Sequence, residues 1–369
     1  MVIGIDTSRA NHFPRGGVEW YAYYLIREFY KLDHLNEYIL YTPDKLNKDL
    51  QPPSSNFKEK ILNWPLKRFW TLGRMSWEMI FSRPDVLFIP SHTFPLVGAK
   101  RNVITWHDVG YERYPENYTR WELASLRQGL KIALKIAETI ISVSEFTKSE
   151  MVRIYDIDPK RIKVIHLGCD HDKWFPVAQQ TVKGFLQRRN INLPYFVFLG
   201  RLSLKKNVAG LIRIYNRFRE RLHQPHNLIL VGSETPFHQE INEEIRNSPF
   251  RNEIKKLGWL PINDLPVLLS GATALIYPSI YEGFGLPPLE AMSCGCPVIA
   301  SDSSSLPEIV SDAGLYAQTH DIEGFADQMI KLIENENLRD DLITKGLERS
   351  KLFNWQTCAK ETLKVLKGD

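Results

Sequence analysis

Residues 273–301 read TALIYPSIYEGFGLPPLEAMSCGCPVIAS, and the order of residue types in them decides the fold. Thr273–Tyr277 is a short apolar run of the kind that forms a buried strand. Gly283 and Gly285 follow, Pro287-Pro288 opens a short helix carrying Glu290, and Pro297–Ala300 is a second buried strand. A strand, a Gly-rich turn and a helix N-terminus together aim backbone N–H groups at an anionic ligand. Glu282 and Glu290 place a carboxylate on each side of the turn, with seven residues between them. An ionised carboxylate accepts hydrogen bonds from paired hydroxyls, so the stretch fits a nucleotide-sugar pocket.

The same alternation of short β-rich runs and amphipathic helices extends along the whole chain, which argues for parallel sheets with crossover helices. Strands are expected at Val2–Ile5, Tyr38–Thr42, Val86–Ile89, Asn102–Trp106, Thr139–Val143 and Ile162–His166. A second series follows at Tyr195–Leu199, Asn227–Val231, Ile254–Leu257, Thr273–Tyr277 and Val298–Ala300. Trp121–Ala137 lines up Leu123, Leu126, Leu130 and Leu134 on one helix face, and Trp355–Lys367 reads as an amphipathic helix. The fold class is therefore α/β, with two doubly wound domains. Such sheets bind ligands beyond the carboxyl ends of their strands, which points to a cleft between two facing domains.

Length agrees: 369 residues are long for one core. The expected division is 1–172, 173–352 and a C-terminal helix over 353–369. No run approaches the ~18 apolar residues that span a bilayer. The chain opens on a strand pattern with no signal peptide, so the expected location is cytoplasmic. Cys169, Cys294, Cys296 and Cys358 lack zinc or redox spacing and read as reduced thiols. Residues 1–170 carry 24 Lys and Arg against 20 Asp and Glu, and the rest 23 against 23, an imbalance that solvated faces explain. Residues 58–77 mix Lys67, Arg68 and Arg74 with Trp64, Phe69, Trp70 and Trp77. They read as a loop and helix packed under a lid, with peripheral contact to a membrane face as the alternative. No motif for nucleic acid is present.

Other strand ends carry chemistry. Gly200-Arg201 through Lys205-Lys206-Asn207 follows a strand and precedes a helix, and two cations there suit a diphosphate. Gly16-Gly17 sits between the first strand and a helix, where glycine lets backbone approach a ligand. It belongs to no Gly-x-Gly-x-x-Gly fingerprint and no P-loop. His107 closes one strand, Trp259 follows another, and Ser144 is placed to cap a helix. Asp156-Ile-Asp158 and Asp170-His-Asp172 match the Asp-x-Asp pattern of metal-dependent transferases, but Arg201 and Lys206 make a metal redundant.

The context GFGLPPLEAMSCGCPVIAS closely resembles the Glu-x7-Glu signature of retaining glycosyltransferases of family 4, which have the GT-B fold; a bare Glu-x7-Glu would carry no weight. The resemblance covers nearly the whole chain and is most specific in its C-terminal half. It implies a hexosyltransferase using a nucleotide diphosphate-sugar, with UDP-glucose the leading donor and GDP-mannose the second. The acceptor it implies is a glycan or lipid-linked saccharide, with no metal or other cofactor. Arg201 and Lys206 would hold the donor pyrophosphate, and Glu282 the sugar hydroxyls. Glu290 would hold the ribose hydroxyls, with the backbone of Gly283, Phe284, Gly285 and Leu286 against sugar and phosphate. Gly16 and Gly17 would border the donor phosphate, His107 would position the sugar, and Trp259 would lie near the base. In the front-face mechanism of that family the departing phosphate takes the acceptor proton. A GT-B epimerase or phosphorylase and a silent sugar-nucleotide binder remain the alternatives.

Overall fold

The computed structural model describes residues 1–66, 69–234 and 239–368. Two compact units emerge: Met1–Gly168 with the chain from Asn354 onward, and Cys169–Phe353. The sequence placed these limits at 172/173 and 352/353.

In the first unit seven parallel strands run β1 (Val2–Asp6), β2 (Glu37–Thr42), β3 (Phe57–Ile61), β4 (Val86–Ile89), β5 (Arg101–Trp106), β6 (Thr139–Ser142) and β7 (Ile162–Val164) along the chain. Their spatial order is β3-β2-β1-β4-β5-β6-β7. Inner strands such as β4 are buried along their length, as sheets covered on both faces require. The helix Arg120–Ile136 begins at Thr119, whose hydroxyl and Glu122 form a capping box. It buries Leu130, with Leu123, Leu126 and Leu134 packed against the same core. The helix Trp355–Lys367 belongs to this unit, with Trp355 stacked on Tyr24 at 4.9 Å and the Arg101 guanidinium donating to the Val365 carbonyl at 2.9 Å.

The second unit holds six parallel strands, β8 (Tyr195–Leu199), β9 (Asn227–Val231), β10 (Ile254–Gly258), β11 (Ala274–Tyr277), β12 (Val298–Ser301) and β13 (Gly314–Ala317). Their order is β10-β9-β8-β11-β12-β13, so strand order reverses between β8 and β11. That reversal is the topological switch point of a doubly wound sheet, where two neighbouring strand ends diverge and open a crevice.

Two strands were absent from the sequence reading, and both are sheet edges. β3, FKEKI, alternates apolar with charged residues and is only half buried; β13, GLYA, is four residues long and nowhere fully buried. Edge strands need little apolar signal because one side faces solvent. Residues 58–61 are therefore strand, not the loop expected there. Further along, Trp70 is buried and its indole donates to the Leu62 carbonyl, whereas Phe69, Trp77 and Phe81 are exposed. Lys67 and Arg68 lie outside the described residues.

Candidate active site

The two strand ends beside the switch point of the second sheet carry most of the expected charge. Leaving β8, Gly200–Lys206 is held against the loop after β9: the Leu202 amide donates to the Ser233 carbonyl at 2.9 Å. Gly232 permits this closeness, because a Cβ there would overlap the Gly200 carbonyl. Asn207 takes a left-handed conformation and starts the helix Val208–Arg221. Leaving β11, residues 278–285 run against the turn that follows β8. The two segments are tied: the Ile280 amide donates to the Lys205 carbonyl at 2.9 Å and the Ser279 hydroxyl to the same oxygen at 3.2 Å.

These ties bring Lys206 and Glu282 together. The Lys206 ammonium is ion-paired with the Glu282 carboxylate and donates to the Tyr277 hydroxyl at 3.0 Å. Burial by itself would push the Glu282 pKa up. Lys206 first, and Lys205 beside it, outweigh burial and hold the carboxyl below its ordinary range. The Lys205 ammonium lies 5.7 Å from the centre of the Tyr281 ring. Arg201 is exposed and has no ion-pair partner among the described residues.

Glu290 behaves oppositely. It sits in the helix Leu286–Ser293, whose N-cap is Gly285 at φ 107°, a conformation that disfavours any side chain. Its side chain keeps some surface in solvent but meets no hydrogen-bonding or charged partner among the described residues. Burial alone raises its pKa to about 8. Phe284 is buried and packs edge-on against Phe353 at 5.8 Å. Trp259 is 62 % exposed beyond β10, which excludes a place in the core.

In the first unit, the His107 Nε2 lies 3.1 Å from the Pro90 carbonyl. A carbonyl only accepts, so Nε2 carries the proton, and burial lowers the pKa; His107 is a neutral imidazole. The Gly16 amide donates to the Glu19 carboxylate at 3.1 Å, and Gly17 is exposed at the start of the helix Gly17–Leu32. Arg15, between them and β1, is buried against Phe13 and Tyr23 and paired with Asp49 at 2.6 Å. Ser144 caps its helix, accepting from the Thr147 amide at 3.0 Å. Of the two Asp-x-Asp sequences, Asp158 caps a short turn by accepting from the Lys160 amide, and Asp170 pairs with Lys173. No group of three metal-binding side chains occurs among the described residues. All four cysteines are buried thiols.

Sequence reasoning missed Tyr277, whose hydroxyl receives Lys206 at a strand end otherwise read as apolar. It also missed the serine-rich segment after β12. The Ser305 hydroxyl contacts the Glu282 and Phe284 carbonyls at 3.0 and 2.8 Å. Four serines within residues 301–305 were the available signal.

Comparison with known proteins fits this geometry. Residues 185–349 match the family Glycosyl transferases group 1, and residues 15–173 match Glycosyltransferase Family 4. O-antigen chain mannosyltransferase B of Escherichia coli is 32% identical over 82% of this chain and 77% of its own. O-antigen chain mannosyltransferase RfbU of Salmonella typhimurium is 27% identical over 73% of this chain and 70% of its own. The crystal structure of Anabaena HepE with UDP and glucose superposes with a TM-score of 0.76 at 18% identity, covering 99% of each chain. With its two Rossmann-like units in the GT-B fold, the chain belongs to glycosyltransferase family 4.

Proposed function

We propose that this protein transfers a hexose from a nucleoside diphosphate-sugar to a glycan or lipid-linked saccharide, retaining the anomeric configuration and using no metal. The observation that carries the reading is the Lys206–Glu282 pair at the switch point of the second sheet. Departure of the leaving group builds negative charge on the diphosphate and positive charge on the sugar ring. Lys206, Arg201 and the Gly285 and Leu286 amides, the backbone donors that remain where Pro287 and Pro288 open the helix, supply preorganised positive potential for the phosphate. Glu282 then accepts the sugar hydroxyls, and Glu290 the ribose hydroxyls. Asp158 and Asp170 are already engaged in turns, which supports leaving phosphate neutralisation to the cations. Turnover is expected to survive exhaustive EDTA treatment; loss by EDTA with rescue by Mg²⁺ or Mn²⁺ rejects that part of the reading.

His107 is neutral and tied to backbone, which suits a positioning group better than an inverting base. A retained α-linkage from an α-donor, read from the anomeric coupling constant of the product, is the expected result; a β-linkage overturns it. For the sugar, both O-antigen relatives are mannosyltransferases by name, which favours mannose from GDP-mannose over the glucose expected from the resemblance. Thermal stabilisation by a panel including GDP-mannose and UDP-glucose tests the choice, since a tight ligand raises apparent stability by mass action. Among the described residues no helix is long and apolar enough to cross a membrane. A peripheral position at the cytoplasmic membrane face fits a lipid-linked acceptor.

A further inference from the structure

Besides its ties to Lys205 and Lys206, the loop that carries Glu282 is held by a run of serine hydroxyls. Ser301 donates to the Ser279 carbonyl at 2.5 Å, and Ser303 contacts the Ser279 and Ile280 carbonyls at 3.1 Å each. Ser305 bridges the Glu282 and Phe284 carbonyls. Ser304 acts in the other direction: its hydroxyl accepts from the Glu282 amide at 3.0 Å while donating to the Ser303 carbonyl at 2.7 Å. Ser304 is also the strained member, at φ 57° in the left-handed region. Glycine occupies that region without penalty, whereas a Cβ costs on the order of 1 kcal/mol. A serine where glycine would be more stable, with its hydroxyl on the backbone of the charged glutamate, is strain stored beside the reacting groups.

We propose that Ser304 is a positioning residue for the transfer: it fixes the Glu282 amide and so aims the Glu282 carboxylate at the donor sugar. The inference rests on the proposed role of Glu282. The Ser304 hydroxyl bonds backbone, the Glu282 amide and the Ser303 carbonyl, so its effect is expected on turnover and not on nucleotide binding.

Glycine and alanine together separate the two contributions of this side chain: Ser304→Gly removes the hydroxyl and relieves the strain, whereas Ser304→Ala removes the hydroxyl alone. The expected protein melts at or above the wild-type temperature and binds GDP and UDP with unchanged affinity. Its kcat, with GDP-mannose or UDP-glucose as donor, falls about three- to tenfold, the equivalent of one net hydrogen bond. Ser304→Ala, which keeps the strain and loses the hydroxyl, shows the same kcat loss with a lower melting temperature. The decisive measurement is a double-mutant cycle with Glu282→Ala. If Ser304 acts through Glu282, Ser304→Gly costs nothing further in the Glu282→Ala background. An equal loss in both backgrounds, or wild-type kcat for Ser304→Gly beside a crippled Glu282→Ala, overturns the Ser304 assignment alone. Wild-type kcat for Glu282→Ala overturns the site reading itself, and the Ser304 assignment with it.

Discussion

The loop of Glu282 and the helix of Glu290 belong to one short motif, yet their carboxyls are in opposite electrostatic states. Glu282 is the more deeply buried residue and is ionised, because Lys206 reaches it from a turn that precedes it by 76 residues. Glu290 is less enclosed and has no such partner, so burial raises its pKa to about 8. Depth therefore does not set charge state here; the presence of a cation does. One carboxylate is charged and preorganised before any ligand arrives. The other must lose a proton to become a full acceptor.

Removing Lys206 attacks the comparison most directly. Lys206→Ala leaves Glu282 buried without its cation and takes a positive group from the leaving phosphate, so kcat/KM is expected to fall on the order of 10²–10³. Its melting temperature also falls, and adding Glu282→Gln to the variant restores much of the loss, since the uncompensated charge disappears. A Lys206→Ala protein with wild-type turnover and melting temperature ends the comparison.

Next in size is the pH dependence created by Glu290. Its folded pKa lies above the unfolded value, so the folded protein holds the extra proton between about 4.5 and about 8. The stability tied to that proton is fully present below about 4.5 and is lost as pH rises through about 8. Glu290→Gln should thus be more stable than wild type at pH 9, by on the order of 2–5 kcal/mol, and no more stable at pH 4. Parallel melting curves of the two proteins across that range would refute the raised pKa.

Nucleotide binding sharpens the contrast. Glu290→Ala should weaken the bare nucleoside diphosphate, because its assigned partner is the ribose; Glu282→Ala should leave that affinity nearly intact and lower kcat. Below pH 8 the wild-type complex should release a proton on binding, visible by calorimetry in buffers of different ionisation enthalpy, and Glu290→Gln should not. Equal affinity losses for the two alanine variants would dissolve the division of roles. The smallest effect is expected at Arg201, exposed and without an ion-pair partner among the described residues. Arg201→Ala should lose about tenfold in nucleotide affinity, one charge-assisted hydrogen bond, with an unchanged melting temperature.

Much of the fold was readable along the chain. β4, β8 and β9 lie where their apolar runs predict, because fully buried parallel strands carry an uninterrupted apolar signal. β3 and β13 escaped because an edge strand tolerates charge, glycine and shortness. The residue types of the candidate site were legible in place: cations after β8, a glutamate on each side of the Gly-rich turn, a histidine ending β5. Their relations were not. Gly16 was read as backbone open to a ligand, but its amide is engaged by the Glu19 side chain three residues later. Trp259 offered no signal to separate core from surface, and it lies outside.

Local patterns suffice for the parallel strands, the helix opened by Pro287-Pro288 and the presence of a positively charged turn after β8, since each depends on neighbours within a few positions. The Lys206–Glu282–Tyr277 contact depends instead on β8 and β11 becoming adjacent in the sheet, which couples residues more than 70 positions apart. Ionisation follows the same logic. Glu282 and Glu290 are chemically identical in the chain, and only their three-dimensional surroundings, a cation for one and burial without a partner for the other, divide them into carboxylate and carboxylic acid.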